Sequence, residues 1–200
     1  DDASSDAGIA EPQRRTVTMV RVVFPMLVEL VSHHDAEDRA VLLGRLLGAA
    51  QGAVKRFDGE VEALDANGLT ALFGVPLAHE DDPERGVLAA LALRAACTKE
   101  MKILTSHDEW KVLAGLDLRI AVHTGEVVVT PLAGGRGSES RAVVGDVVKN
   151  TERLLTPDAP GHVRVGVTTY RQVEPLFQWA PGVDSAEGRE FYVPLARREP

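Results

Sequence analysis

The sequence predicts an α+β sandwich, a mostly antiparallel sheet with helices packed on one face. Three observations carry this. Segments with strand and helix character follow one another in the order βααββαββαβ; tight turns are legible at Asp65-Ala66-Asn67-Gly68 and at Thr124-Gly125; and no internal repeat is visible. A hydrophobic content of 44% in 200 residues suits one compact domain with a sizeable core.

Residues 1–13 are small, acidic and interrupted by proline, a composition that buries too little apolar surface to offset ordering entropy, so they are expected to be a disordered linker or arm. The domain then spans residues 14–200. Residues 16–23 are β-branched and partly alternating, as a strand requires, and Phe24-Pro25 stops them. Helices are expected over 26–34 and 36–56, the second with Asp35 as N-cap and Leu43, Leu46, Leu47, Ala50 and Val54 on one face. Strands at 60–64 and 69–73 flank Asn67-Gly68, a hairpin signal because both residues tolerate positive φ.

Asp81-Asp82-Pro83-Glu84 opens a helix that runs to about Met101, with proline in the first turn and acids complementing the helix dipole. A polar connector around Trp110 follows. Residues 117–123 and 126–130 read as two strands of a second hairpin, and 131–140, rich in glycine and serine, as a flexible arm. A short strand at 142–144 leads into a helix over 146–155, ended by Pro157 and Pro160. A strand at 162–167, a helix at 168–173 and strands near Phe177 and 191–195 complete the chain.

Charge and cysteine usage narrow the function classes. A net charge of −8 without a long Lys/Arg run argues against nucleic acid or an anionic membrane as partner. The single cysteine, Cys97, lies in an apolar run, excludes an internal disulfide framework and fits packing in a reducing compartment, so a cytoplasmic location is expected. No apolar stretch approaches the roughly 20 residues of a membrane span.

The segments RRTVTMV, FDGEVEALDANGLTALFG, AHEDDPERGVLAAL, LRIAVHTGEVVV and AVVGDVVKNTERL occur in the order and spacing of a class III nucleotide cyclase domain. The resemblance covers about residues 14–195. It implies a ferredoxin-like nucleotide cyclase fold, a head-to-tail dimer, and sites built from both subunits at the interface.

The same resemblance implies six functional positions, and this chain keeps one of them. Two cations need charged oxygen ligands, yet the metal-binding aspartates fall on Val23 and Asn67. A shift of register that recruits Asp65 breaks the match at Phe73-Gly74, and Asp65 is expected to support the turn instead. The purine-selecting lysine falls on Ala63 and its partner on Ala142. The ribose-orienting asparagine becomes Lys149. Arg153 alone resembles its counterpart, the arginine that stabilises the transition state.

Lys149 and Arg153 are four residues apart on one helix, with Arg141 upstream, so they form either a small anion patch or a solvated helix face. His33-His34 is a poor chelate because adjacent helical side chains diverge. His123, in the His-Thr-Gly turn, is expected to be structural. Gly134-Gly135-Arg136-Gly137 lacks the strand-before, helix-after context of a phosphate loop. No metal or cofactor is therefore expected, and the chain is expected to be a degenerate cyclase homology domain. It would act as a homodimer, or as a heterodimer with a cyclase-like domain, and regulate a linked signalling domain. The alternatives are an active adenylate or guanylate cyclase and a metal-independent nucleotide sensor using Lys149 and Arg153.

Overall fold

The computed structural model describes residues 11–131, 141–155, 157, 161–181, 183–184 and 190–199. In chain order the elements are β1 (Gln13–Val23), α1 (Leu27–Leu30), α2 (Ala36–Lys55), β2 (Glu60–Asp65), β3 (Gly68–Phe73), α3 (Asp82–Thr105) and β4 (Arg119–Pro131). They continue with β5 (Arg141–Val144), α4 (Asp146–Arg153), β6 (Val163–Gly166), α5 (Val167–Val173), β7 (Phe177–Trp179), β8 (Val183–Asp184), β9 (Glu190–Tyr192) and β10 (Pro194–Arg197). The main sheet runs β2-β3-β1-β4-β6-β9-β8, with β5 paired to β4, and β10 and β7 form a separate pair. The expected α+β architecture is present, but the sheet is mixed: β4 and β6 run parallel while the other described pairs are antiparallel.

Alternation along β1 and β4 divides the core between two faces. Val20, Val22, Ile120 and Val122 face α2 and α3 in the larger cluster, which includes Leu46, Leu93 and Phe73. Val17, Met19 and Val127 face the other way and pack against Val147 of α4. Helices therefore cover both faces, not the single face expected. A parallel pair cannot be closed by a tight turn, and the connection from β4 to β6 passes through α4 on the second face.

The hairpin expected at Thr124-Gly125 does not form. β4 is one uninterrupted strand, paired residue by residue with β1 from Arg119 opposite Val23 to Val129 opposite Gln13. Gly125 serves close packing instead: a Cβ there would lie 3.3 Å from Cβ of Val147, so its absence lets α4 approach. Thr124 is buried, and its hydroxyl lies 2.9 Å from those of both Thr18 and Thr169, joining β1, β4 and α5.

Several local expectations are met. Asp35 caps α2 by accepting a hydrogen bond from the Asp38 amide at 2.9 Å, Pro83 sits in the first turn of α3, and Cys97 is fully buried. Others change. The helix at 26–34 shrinks to one turn, preceded by Met26 at φ 66°. The supposed connector after Met101 is the end of α3 followed by a 3-10 segment, Asp108–Gly115, that buries Trp110 and Leu113 against the core. His34 stacks on Trp110 with ring centroids 4.4 Å apart. The expectations for residues 1–10 and for the arm from residue 132 onward lie outside the described residues.

Candidate functional site

Val23 ends β1, flanked across the sheet by Gly68 of β3 and Arg119 of β4. Directly paired residues share a face, as do residues two apart on one strand. Val23 therefore shares one face with Gly68, Thr70, Arg21, Ala121 and Arg119, and Ala63 joins them through its pairing with Thr70. Asn67 lies beside this row: its carbonyl accepts the Phe24 amide at 2.7 Å. The structure thus brings Val23, Asn67 and Ala63 together at one end of the sheet.

The hairpin that positions Asn67 is closed differently from expectation. Neither Asn67 nor Gly68 is among the described residues with positive φ. Asp65 Oδ1 accepts hydrogen bonds from the amides of Asn67 at 2.8 Å and Gly68 at 3.1 Å, an Asx turn that ties one oxygen of this carboxylate to the backbone. Gly68 is required for space, because a Cβ would overlap the Val22 carbonyl oxygen.

A two-cation site does not fit these residues. Val23 offers no lone pair, Asn67 no charge, and Arg21 and Arg119 add positive charge on the same face. Arg21 is half-buried and donates to Thr70 Oγ1 at 2.8 Å. Arg119 bridges Asp117 at 2.6 Å and donates to the Leu155 carbonyl at 3.3 Å. Among the described residues no group of three or more His, Cys, Asp or Glu side chains is placed to hold a metal ion.

Ala142 is not brought to this end. It pairs with Thr130, eleven residues along β4 from Arg119, a path of roughly 36 Å at about 3.3 Å per residue. Lys149 and Arg153 are both exposed on α4 and share its face at the expected spacing. Neither has an ion pair or side-chain hydrogen bond among the described residues. Arg141 opens β5 opposite Pro131, and its side chain lies outside the described residues.

Sequence reasoning missed Arg21 and Asn150 here and gave His123 only a structural role. Arg21 was legible from strand alternation, two positions before Val23. Asn150 follows Lys149 and, with Arg153 and His123, lines a cleft under α4. His123 is 9% exposed and sits on the α4 face of β4, opposite Met19. Burial holds its imidazole below the ordinary histidine range.

The fold that carries these residues is that of the class III nucleotide cyclase catalytic domain. Compared with known proteins, the sequence matches no family model and no curated protein. Solved structures do match. The adenylyl cyclase CyaB from P. aeruginosa superposes with a TM-score of 0.74 at 20% identity, covering 94% of this chain and 97% of that one. The guanylyl cyclase Cya2 gives 0.72 at 20% identity, with 93% of each chain covered. The monomeric guanylyl cyclase domain of the RhoGC fusion protein from the aquatic fungus Blastocladiella emersonii gives 0.70 at 18%, covering 94% and 100%. The TM-scores establish a shared fold, and identities of 18–20% show no more than that. No helix among the described residues is long and apolar enough to cross a membrane.

Proposed function

We propose that this chain is a catalytically degenerate nucleotide cyclase homology domain, serving as a dimerisation and regulatory module in intracellular signalling. The observation that carries the proposal is the setting of Val23, flanked on one sheet face by Arg21 and Arg119. Phosphoryl transfer from a nucleoside triphosphate depends on cations held by oxygen ligands. This face presents an aliphatic side chain and two guanidinium groups. Ala63 and Ala142 bear no group that hydrogen-bonds a purine edge, and a site without those bonds loses discrimination.

The mechanism is conformational. Two copies, or this chain and a cyclase-like partner, associate through the sheet end that carries Val23 and Asn67, and a shift of that interface is passed to a linked domain. Met26 and Leu64, both exposed, lie three residues along the chain from Val23 and Asn67 and supply apolar surface for such an interface.

Incubation of the purified protein with ATP or GTP and Mn²⁺ is expected to yield no cyclic nucleotide above a no-protein control. Product that appears and is abolished by Arg153→Ala would reverse the proposal. Molar mass by light scattering across a concentration series, with and without residues 131–140, tests the dimer. A strictly monomeric species at high concentration, unchanged by the deletion, rejects it.

A further inference from the structure

The cleft under α4 is lined by residues of a single chain. It measures about 290 Å³ and lies where α4, β4 and the β6–α5 junction meet. Arg153 and Asn150 line one side, His123 the sheet side, and Leu154, Val167 and Thr168 the remainder. Its size is at the lower end of the roughly 300–1,000 Å³ typical of small-molecule sites. That suits a compact organic molecule better than a nucleotide.

Arg153 carries its charge without a carboxylate among the described residues, although the protein as a whole is acidic. His123 Nδ1 is buried with no hydrogen-bond partner among the described residues. It lies against Gly166, another lining residue, where a Cβ would overlap the ring, so glycine at this position makes room for the imidazole. Leu154 is buried and Val167 half-buried, giving the cleft apolar walls beside this cation.

We propose that this cleft binds a small organic oxyanion. Its carboxylate or phosphate is held by Arg153 and the Asn150 amide, and its compact apolar body rests on Leu154 and Val167 beside the His123 ring. Arg153 suits the head group because a planar guanidinium matches two oxygens at once. The proposal does not depend on the regulatory assignment, since neither metal nor nucleotide enters it.

The test follows the His123 ring resonances of the labelled full chain while benzoate, phenyl phosphate, inorganic phosphate or benzyl alcohol is added, with calorimetry in parallel. Benzoate or phenyl phosphate is expected to shift His123 saturably, inorganic phosphate to bind more weakly, and neutral benzyl alcohol not to bind. The tighter of the first two identifies the head group as carboxylate or phosphate ester. Arg153→Gln, at an exposed position where folding is not at risk, is expected to weaken binding about tenfold. Arg39→Gln on α2 is expected to leave it unchanged. The proposal is overturned if no anion shifts His123 by about 10 mM, if benzyl alcohol binds as well as the anions, or if Arg153→Gln binds as tightly as the parent.

Discussion

Replacing Val23 and Asn67 together by aspartate tests whether the sheet end is a metal site lacking only its carboxylates. Val23 is half-buried, so the change forfeits about 1 kcal/mol of the ~1.5–3 kcal/mol that full burial provides. Strand preference removes up to about 1 kcal/mol more. Asn67 is exposed, and its substitution is worth within about 0.5 kcal/mol either way. The double variant should melt about 2–8 °C below the parent, at about 2–4 °C per kcal/mol for a domain of this size. Divalent cations should then bind near millimolar, and about 10 mM Mn²⁺ against a Kd of about 1 mM restores about 1.4 kcal/mol.

Arg21 limits that affinity. Same-face neighbours on a strand stand roughly 7 Å apart, where a divalent ion and a guanidinium repel by about 1 kcal/mol with bulk-water screening and by several at an effective dielectric constant near 20. Adding Arg21→Ala should therefore tighten Mn²⁺ binding about fivefold or more. Thermal melts with and without Mn²⁺ and calorimetry read these changes, and a product assay with ATP and GTP should stay blank. Robust turnover in the double variant would show that Ala63, Ala142 and Lys149 are not the missing nucleotide contacts. Equal Mn²⁺ binding by the parent would refute the account of the metal positions.

Three further outcomes are expected. Gly68→Ala drives a methyl group into the Val22 carbonyl and should lower stability by about 2–4 kcal/mol in chemical denaturation; a change within about 0.5 kcal/mol would show that the hairpin relaxes without strain. The Cys97 thiol is pushed up to about 12, chiefly by burial and secondarily by Glu100, so iodoacetamide at about pH 8 should leave it intact until the chain is unfolded. His123 has a native pKa held below the unfolded value of about 6.5. The unfolded chain takes up more protons as pH falls through that value, so stability from this residue is present above it and lost on acidification. Denaturation midpoints at a series of pH values should show this loss in the parent and a smaller one in His123→Gln; parallel profiles would exclude the histidine as its source.

The sequence by itself determined the features whose causes are local. Asp35 capped the helix it was expected to cap, Asp65 to Gly68 turned the chain where turn chemistry requires it, the period of apolar residues marked α2, the proline and acids of its first turn marked α3, and β-branching marked β1. The motif order singled out Val23 and Asn67, and the folded chain sets them side by side at one end of the sheet. Features set by distant residues were not legible. Gly125 looked like a turn because nothing near it in the chain reveals that Val147 packs there. The parallel pairing of β4 with β6, and with it the helix on the second face, depends on segments about forty residues apart along the chain. The cleft joining Arg153, Asn150 and His123 arises only where three elements converge, and burial of the His123 ring, which lowers its proton affinity, belongs to that convergence. Local sequence specifies dihedral preference and facing. Which faces meet is decided by the packing of the whole chain, because burial and partner choice are properties of neighbours that the chain brings together only on folding.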